Sequence, residues 1–338
     1  MKYRSLGRTG LQVSALSFGA LTFSDGMGAG SVGRTSSKDA ERIVGLCLDA
    51  GVNLFDTADA YSDGRSEEIL GEAICNRRKE ALIATKVFGR MAPGANNMGA
   101  SRHHIIDACD ASLRRLKTDY IDLYQLHGFD SLTPLEETLR ALDDLVRAGK
   151  VRYIGASNYA GWQLMKALGI SDARNLERYA SQQIYYSLIG RDGEAELLPL
   201  ARDQGVGVLV FSPLAFGLLS GKFRRGRPDP EGARATAFGA PIKIDRETVD
   251  KVTDLLAELA SNRGVSAAQC AINWLLSKPA VSSVIVGASN ETQLNDNLAA
   301  VHWSLTPEEV ALLDEASAVP LPYPHPITQQ WFAERNPA

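Results

Sequence analysis

Four residues in the first part of the chain have side chains that could together move a proton. They are Asp56, Tyr61, Lys86 and His127. A tyrosine is a poor acid at neutral pH, but a lysine ammonium within a few ångström would stabilise the phenolate and lower the pKa of Tyr61. Asp56 would keep Lys86 charged and in place, and His127 could donate a hydrogen bond to a carbonyl oxygen. Such a group suits proton transfer to a carbonyl oxygen while hydride adds to its carbon.

These residues lie at or near the carboxyl ends of short apolar segments that we predict to be β-strands. Helical patterns separate the segments, and this alternation is typical of parallel strands joined by crossover helices. Eight segments in one run, with no linker between domains, favour a (β/α)8 TIM barrel over a doubly wound sheet. We expect residues 1–338 to form this single domain. The predicted strands span 16–20, 54–58, 81–87, 121–127, 151–157, 180–187, 206–212 and 282–288.

Capping residues predict where some helices begin and end. Ser36 and Asp39 form a capping-box pattern that opens a helix, and Gly51 closes it. After the seventh strand, a long polar loop precedes two helical patterns at 245–262 and 266–278. The longest gap between predicted strands is therefore filled by a loop and two helices.

More polar residues follow the later strands. Ser157, Asn158, Gln183, Ser212 and Ser289 all stand at or near the carboxyl end of a predicted strand. Parallel strands that are buried on both faces are mostly apolar, so these polar residues need an explanation. In a barrel the carboxyl ends share one rim, which would bring the residues to one mouth. Each one alone could simply bind local backbone, but a buried aspartate, lysine and histidine together are costly unless paired or used.

Several longer motifs give the chain a specific resemblance to a known family. They are GVNLFDTADAY, SEEILGEAI, IATKV, DLYQLH, GKVRYIGASNY, QIYYSL, FSPLAFGLLSGKF and VIVGASNETQLNDN. In order and spacing they resemble the aldo-keto reductase superfamily over residues 1 to about 318. The chain looks most similar to the bacterial branch that is related to the potassium-channel β subunits.

The resemblance implies a barrel enzyme that reduces an aldehyde or ketone with NADPH or NADH, or runs the reverse oxidation. Its catalytic tetrad would be Asp56, Tyr61, Lys86 and His127, with Tyr61 as the general acid. The resemblance also implies a set of cofactor-binding residues. Ser157, Asn158 and Gln183 would bind the nicotinamide carboxamide, Phe211 would stack on its ring, and Ser212, Leu214, Gly217 and Lys222 would bind the pyrophosphate. The remaining cofactor residues would be Pro213, Gly287, Ser289, Gln293, Asp296 and Asn297, the last four at the adenosine end.

The choice between NADPH and NADH depends on a cation for the 2'-phosphate, and arginine is best suited to bind one. Gly287 and Gln293 stand where many family members have lysine and arginine. Relatives in the channel-like branch use a basic residue of the long loop after the seventh strand, so Arg234 or another arginine within 224–227 could serve. An arginine-rich loop can equally be a solvated surface segment. We favour NADPH, with NADH as the alternative.

The stretch GAGSVG, Gly28 to Gly33, matches the dinucleotide fingerprint letter for letter. In a Rossmann dehydrogenase the first glycine follows a strand directly and the third lies within the opening helix. Here four residues separate Gly28 from the apolar run, and the cap at Ser36 opens the helix only after Gly33. We therefore expect a loop at the barrel mouth rather than a nucleotide site.

Aromatic residues beyond the strand ends are candidates for the substrate pocket, although loop aromatics often only pack. Three of them, Phe23, Phe88 and Phe129, lie just after predicted strands, and Trp331 lies in the C-terminal tail. The tail, 319–338, contains five prolines and little helical pattern. We predict that it is irregular and wraps over the surface.

Composition limits the partners and the compartment. The formal charge is −4 with acidic and basic residues interspersed, so we expect a small-molecule partner and neither nucleic acid nor a membrane. No segment reaches the ~18 apolar residues of a membrane span, and the N-terminus lacks a signal-peptide pattern. Four scattered cysteines, Cys47, Cys75, Cys109 and Cys270, indicate reduced, buried thiols of a cytoplasmic protein. No metal site is predicted, and the oligomeric state stays open.

A regulatory subunit that senses its cofactor, like the channel β subunits, is the main alternative to an enzyme. On the resemblance, animal β subunits tend to have asparagine at the position of His127, whereas competent reductases usually have histidine. His127 therefore favours the enzyme.

Overall fold

A closed barrel of eight parallel strands forms the centre of the computed structural model, which describes residues 1–26, 35–223 and 245–335. The strands pair in chain order, and the last closes the barrel by pairing with the first. All eight predicted strands are present, so the predicted (β/α)8 barrel is confirmed. After the N-terminal strands β1 (Tyr3–Ser5) and β2 (Gln12–Ser14), the barrel consists of β3 (Leu16–Gly19), β4 (Leu54–Asp56), β5 (Leu82–Val87), β6 (Ile121–Leu126), β7 (Val151–Ser157), β8 (Ser181–Tyr185), β9 (Gly207–Phe211) and β10 (Val281–Val286).

Helices surround the barrel, and several begin where capping residues predict. Ser36 Oγ accepts a hydrogen bond from the Asp39 N–H at 3.2 Å, and the helix that it opens ends before Gly51. The described α-helices are α1 (Ser37–Asp49), α2 (Arg65–Ile74), α3 (Arg102–Leu116), α4 (Leu135–Arg147), α5 (Gly161–Arg174), α6 (Leu197–Gln204), α7 (Arg246–Arg263), α8 (Ala267–Leu276), α9 (Glu291–Ala299), α10 (Pro307–Ala316) and α11 (His325–Arg335). Short 3₁₀ helices span Ala20–Thr22, Tyr61–Gly64, Cys75–Glu80, Asp192–Glu194, Ala215–Ser220 and Ala300–His302. The patterns predicted at 245–262 and 266–278 are α7 and α8.

The main core lies between the barrel and the helices. Large side chains such as Phe18, Phe55 and Trp274 are fully buried there. The strands are apolar on both faces because one face meets the barrel interior and the other meets the helices. This double burial explains why the strands could be found from their apolar runs.

A hairpin of β1 and β2 covers the amino ends of the barrel strands. Leu6 and Val13 are fully buried and pack in one cluster with Leu54 and other residues of the barrel interior. Gly7, at φ 59°, lies so close to the barrel that a Cβ atom there would stand 2.4 Å from the Gly205 carbonyl oxygen. The hairpin was not predicted, because strands of three residues are too short to show a period.

The C-terminal tail is only partly as predicted. Residues 319–324 have no regular structure apart from a turn, but His325–Arg335 form α11. The prediction of an irregular tail is wrong for this helix because Pro324 precedes it and Pro326 lies in its first turn, where a missing N–H breaks no helical hydrogen bond.

The cysteines are all unpaired, as predicted. Cys47, Cys109 and Cys270 are buried, but Cys75 is exposed, which corrects the expectation of four buried thiols. Cys75 follows the end of α2 and begins the 3₁₀ helix Cys75–Glu80, in which no residue is buried. Among the described residues, no helix combines the length and the apolar character that crossing a bilayer requires.

Candidate active site

A cavity of about 600 Å³ opens at the carboxyl ends of the barrel strands. Its lining runs from Gly19 to Asn297, so closure of the barrel brings the two ends of the chain to one site. Asp56, Tyr61 and His127 line it. Lys86 is fully buried behind them.

Lys86 joins Asp56 and Tyr61 through its ammonium group. Its Nζ donates to Asp56 Oδ1 at 2.6 Å, to the Thr57 carbonyl oxygen at 2.8 Å and to Tyr61 Oη at 3.3 Å. Lys86 projects from β5, Asp56 ends β4, and Tyr61 begins the 3₁₀ turn that follows. All three N–H donors of the ammonium are thus used, which makes a buried lysine tolerable.

Two glutamines bind the second carboxylate oxygen of Asp56. Gln183 Nε2 donates to Oδ2 at 2.7 Å, and Gln125 Nε2 donates to the same atom at 3.3 Å. Gln125 is fully buried and pairs in register with Lys86. Sequence reasoning missed Gln125 because it stands inside an apolar strand rather than after it. The feature of the sequence that could have identified Gln125 is a polar residue inside an otherwise apolar strand.

Burial and charge act in opposite directions on Tyr61. Burial raises the pKa of the phenol, the Lys86 ammonium lowers it, and burial is the larger effect, so the pKa lies above its ordinary value. The lysine acts as predicted, but the predicted net lowering is wrong, because the sequence does not reveal how far the phenol is desolvated. Burial also works to lower the pKa of Lys86, but Asp56 and Tyr61 outweigh it and raise that pKa.

His127 follows β6 and lies edge-on to Tyr61, with ring centroids 5.6 Å apart and planes at 75°. Burial, and then the Lys86 charge, lower its pKa to about 3. The imidazole is therefore neutral at physiological pH and carries one N–H. A neutral imidazole and a phenol at one wall of a cavity can both donate to a single carbonyl oxygen.

Ser157, Asn158 and Gln183 meet at the ends of the neighbouring strands β7 and β8. Ser157 Oγ donates to the Gln183 carbonyl oxygen at 3.1 Å, and Asn158 Nδ2 donates to the His127 carbonyl oxygen at 2.9 Å. Asn158 has a left-handed backbone, with φ 56°, which asparagine tolerates better than most residues. These amide and hydroxyl groups line the cavity beside Tyr61.

An irregular loop follows β9. The Phe211 ring lies 5.9 Å from Tyr185, which stacks on Phe216 at 5.7 Å. Ser212 and Phe216 have left-handed backbones, with φ 50° and 59°, and Gly217 has φ 99°. Backbone held in such conformations is frequent in loops that clamp ligands, and turned N–H groups can form a nest for anions. Phe216 also lines the cavity and was not predicted.

The far end of the cavity is formed after β10 and by the first turns of α9. The Ser289 N–H donates to Gln293 Oε1 at 3.0 Å, and Asn297 Nδ2 donates to the Gly287 carbonyl oxygen at 3.2 Å. A Cβ atom on Gly287 would meet nothing within 4 Å, so this position leaves room for a ligand. Asparagine and glutamine side chains here could pair with the edge of a purine.

Asp296 links α9 to the neighbouring helix. Its carboxylate accepts hydrogen bonds from Ser266 Oγ and Gln269 Nε2, each at 2.7 Å. Both oxygens therefore already have a protein partner. Any bond to a ligand would come in addition to this tether.

Fourteen of the predicted cofactor residues line this one cavity, and their groups fit a dinucleotide. The lining changes from amides near Tyr61, through an aromatic face and a turned loop, to polar side chains at the far end. Arg234, the arginines of 224–227 and the Gly28–Gly33 stretch lie outside the described residues. The fourteen are Ser157, Asn158, Gln183, Phe211, Ser212, Pro213, Leu214, Gly217, Lys222, Gly287, Ser289, Gln293, Asp296 and Asn297.

The predicted substrate residues do not line the cavity. Phe23 is fully buried and packs on Phe18 with ring centroids 5.7 Å apart, so its predicted role is wrong. The turn Ala20–Thr22 after β3 carries this ring into the core. Leu21 and Thr22 of the same turn line the cavity instead, and only their position after a strand could have revealed them.

The other three aromatic residues are also absent from the lining of the cavity. The half-buried Phe88 lies against Gly128, and Phe129 packs edge-on against Tyr159. Trp331 is 63% exposed on α11. Their predicted contact with substrate therefore has no support from the described cavity.

Comparisons with a family model and with known proteins relate this chain to the same kind of protein over most of its length. The family model described as the aldo/keto reductase family matches residues 15–318. A probable voltage-gated potassium channel subunit beta of Arabidopsis thaliana is 40% identical over 309 residues, covering 89% of this chain and 91% of the relative. The uncharacterized oxidoreductase YrpG of Bacillus subtilis is 38% identical over 326 residues, covering 93% and 95%. The versiconal hemiacetal acetate reductase of Aspergillus parasiticus is 35% identical over 335 residues, covering 93% and 96%.

The motifs, the barrel and these matches agree over nearly the whole chain. The match to the family model contains all four residues of the Asp56, Tyr61, Lys86 and His127 group. The chain therefore belongs to the aldo/keto reductase family and is an oxidoreductase that interconverts carbonyl compounds and alcohols.

Proposed function

We propose that this protein reduces a small aldehyde or ketone with NADPH and that Tyr61 protonates the carbonyl oxygen. One observation carries the proposal: the Lys86 ammonium contacts both Asp56 and Tyr61 at the wall of a cavity, beside a neutral His127. The contact uses the third N–H donor of the buried ammonium, and it also places the positive charge where it stabilises a phenolate. The named reductase among the relatives supports the same direction of reaction.

Asp56, Tyr61, Lys86 and His127 each have a separate role in proton transfer. Tyr61 Oη and the His127 N–H donate to the substrate's carbonyl oxygen and fix its orientation. When bound, the reduced nicotinamide supplies the hydride that adds to the carbonyl carbon. Tyr61 then gives its proton to the oxygen, and the Lys86 ammonium, 3.3 Å away, stabilises the phenolate that remains. Asp56 holds the ammonium in place, and solvent returns the proton.

The cofactor residues would hold the nicotinamide end next to Tyr61. Ser157, Asn158 and Gln183 would bind its carboxamide, and Phe211 would cover one face of its ring. Gln183 already donates its Nε2 to Asp56, so its Oε1 is the atom left to accept from the carboxamide. The loop from Ser212 to Lys222 would bind the pyrophosphate, and Gly287, Ser289, Gln293, Asp296 and Asn297 would enclose the adenosine.

NADPH is proposed over NADH because of the basic residues after β9. Lys222 lines the cavity, and Arg234 is proposed to bind the 2'-phosphate. We expect Arg234→Ala to lower kcat/KM with NADPH by about tenfold or more and to leave kcat/KM with NADH almost unchanged. Arg202→Ala, outside this cavity, is the control. An equal loss with both cofactors would contradict the assignment.

The main test is the reduction of 4-nitrobenzaldehyde with NADPH, followed by the loss of NADPH absorbance. Tyr61→Phe removes only the acidic hydroxyl, so kcat should fall by roughly 10²–10⁴-fold, while NADPH binding, measured by quenching of protein fluorescence, persists. Tyr323→Phe, at an exposed position, is the matched control. Equal rates in wild type and Tyr61→Phe would overturn the proposed role.

A regulatory subunit is the second candidate, because three of the relatives are named as potassium-channel β subunits. Such a protein would bind NADPH without efficient turnover. Tight NADPH binding together with no Tyr61-dependent reduction across a panel of aldehydes and ketones would favour this candidate over the enzyme.

The proposed setting is the cytoplasm, with a small molecule as the partner. The four unpaired cysteines suit a compartment that keeps thiols reduced. Fractionation of cells that express the tagged protein would test the location directly.

A further inference from the structure

Two acidic side chains are buried behind the tetrad. Asp59 and Glu67 are both fully buried, Asp59 on the turn after β4 and Glu67 in the first turn of α2. The Asp59 N–H donates to the Lys86 carbonyl oxygen at 3.1 Å, so its backbone is fixed to the residue that contacts the tyrosine. Asp59 also stands two positions before Tyr61 in the chain.

Asp59 and Glu67 differ in the hydrogen bonds that their carboxyl groups accept. Glu67 accepts from Thr85 Oγ1 at 2.5 Å and from Arg115 Nε at 2.7 Å. Neither carboxyl oxygen of Asp59 has a hydrogen-bond partner among the described residues, and both are out of contact with solvent. Glu67 therefore has the ion pair, and Asp59 is a buried acid without one.

A buried carboxylate without a partner is costly, so such a group keeps its proton to a higher pH. Burial, followed by the nearby Glu67, raises the pKa of Asp59 to about 7. The nearby Ala60 N–H, which is not aligned for a hydrogen bond to the carboxyl group, and the charges of Arg115 and Lys86 act in the opposite direction and do not cancel the rise.

We propose that Asp59 is a positioning residue for the proton donor Tyr61: it is a neutral acid in the most active form, and its ionisation places a second negative charge behind Lys86. Asp56 already supplies one negative charge to that lysine. A second negative charge opposes the formation of the Tyr61 phenolate, so the phenol proton is held more tightly. The inference rests on the proposed carbonyl reduction, in which Tyr61 must release this proton.

The groups that face Asp59 agree with this role. Glu67 lies on α2, Arg115 on α3 and Lys86 on β5, and all three act on the Asp59 charge. Burial is the main cause of the raised pKa of Tyr61, and a charged Asp59 raises it further. The buried Tyr124 of β6 is also within reach of the same charge. The charge on Asp59 therefore changes the pKa of Tyr61 itself.

The first experiment measures the proton on Asp59 without any turnover. Infrared difference spectra of the full-length protein between about pH 5 and 9 should show a carboxylic-acid C=O band that disappears as the pH rises through about 7. The band should be absent in Asp59→Asn and present in Asp63→Asn, a control with an exposed side chain in the following 3₁₀ helix, Tyr61–Gly64. Absence of a band that depends on Asp59 would overturn the proposal, because Asp59 would then be ionised throughout.

The second experiment measures the effect on Tyr61. In the reduction of 4-nitrobenzaldehyde with NADPH, kcat falls at alkaline pH when Tyr61 loses its proton. Asp59→Asn is always neutral, so this fall should move about one pH unit lower than in wild type, and an inflection near pH 7 should vanish. Asp63→Asn should keep the wild-type profile. A profile of Asp59→Asn that superimposes on wild type would overturn the proposal.

The two experiments separate this inference from the proposed function. If wild type reduces no carbonyl compound, the proposed function fails and the role toward Tyr61 fails with it, whatever the infrared band shows. If Tyr61-dependent reduction is present but the band or the pH shift is missing, only the inference about Asp59 fails. The absence of any carboxylic-acid band that titrates near pH 7 in wild type would overturn the proposal without a variant, so misfolding of Asp59→Asn would leave that outcome decisive.

Discussion

His127 is a residue whose chemistry is changed by its surroundings. It is half-buried and lies close to the Lys86 ammonium, and its pKa falls to about 3. We therefore expect its ring nitrogen NMR signals to stay in the neutral form between about pH 5 and 8. His302 is exposed and supplies a reference signal in the same spectra. Titration of the His127 ring within this range would contradict the neutral donor role.

Asp59 should make stability fall as the pH rises. Its pKa in the folded state, about 7, lies above the unfolded value of 3.8, so the folded state binds the proton more tightly. This contribution is complete below the unfolded pKa and is lost as the pH rises through 7, in total on the order of 4 kcal/mol. Urea unfolding of wild type and Asp59→Asn at pH 4 to 9 would measure the loss. A stability difference that does not change with pH would refute it.

The chemical role of a residue was predictable where it depends on the kind of side chain and on its position in a strand. Asp56, Tyr61, Lys86 and His127 could be grouped because each stands at or near a strand end, and they meet as predicted. The net shift of the Tyr61 pKa was not predictable, because it depends on the balance between burial and one ammonium. The roles of Gln125 and Asp59 were equally unpredictable from the sequence. Gln125 donates a hydrogen bond to Asp56, whereas Asp59 receives none from the described residues, and the sequence reveals neither contact.

At the scale of secondary-structure elements, α2 and α3 are held in close contact through a glycine. A Cβ atom on Gly71 of α2 would stand 2.6 Å from the Leu116 carbonyl oxygen and close to the rest of that backbone. Backbone cannot rotate away as a side chain can, so the helices must separate. We expect Gly71→Ala to lower the free energy of unfolding by about 1–3 kcal/mol.

The control for Gly71→Ala is a glycine within another helix. Gly169 lies in α5, is exposed, and has nothing within 4 Å of an added Cβ atom. Gly169→Ala should raise the free energy of unfolding by up to about 1 kcal/mol, because alanine favours helix more than glycine does. Urea unfolding would measure both variants. A loss in Gly169→Ala equal to that in Gly71→Ala would show that close contact is not the cause.

The elements themselves were largely predictable, because buried parallel strands appear as apolar runs and helices carry caps such as Ser36. There were two exceptions. The hairpin of β1 and β2 is stabilised by the barrel end that it covers, and the prolines of α11 stand before the helix and in its first turn, where they break no helical hydrogen bond. Neither segment carries a local pattern that distinguishes it from a loop.

At the scale of the whole molecule, the N-terminal hairpin closes the barrel at the end away from the cavity. Leu6 is fully buried in the cluster inside that end. Leu6→Ala should lower the free energy of unfolding by about 2–4 kcal/mol and change kcat and KM for the aldehyde little, because the tetrad lies at the mouth. Leu132→Ala, at a site 93% exposed, should change stability by less than about 0.5 kcal/mol. A large rise in KM in Leu6→Ala would contradict this separation.

The pairing of β10 with β3 also affects how the chain folds while it is being synthesised on the ribosome. The first barrel strand is translated before the other seven, but it gains its second neighbour only after Val281–Val286 have been translated. Until then the nascent chain carries two unpaired strand edges, which are ready sites for association with other chains. The residues proposed to hold the adenosine, within 287–297, are translated later still, so the cofactor can stabilise the barrel only after that segment has left the ribosome.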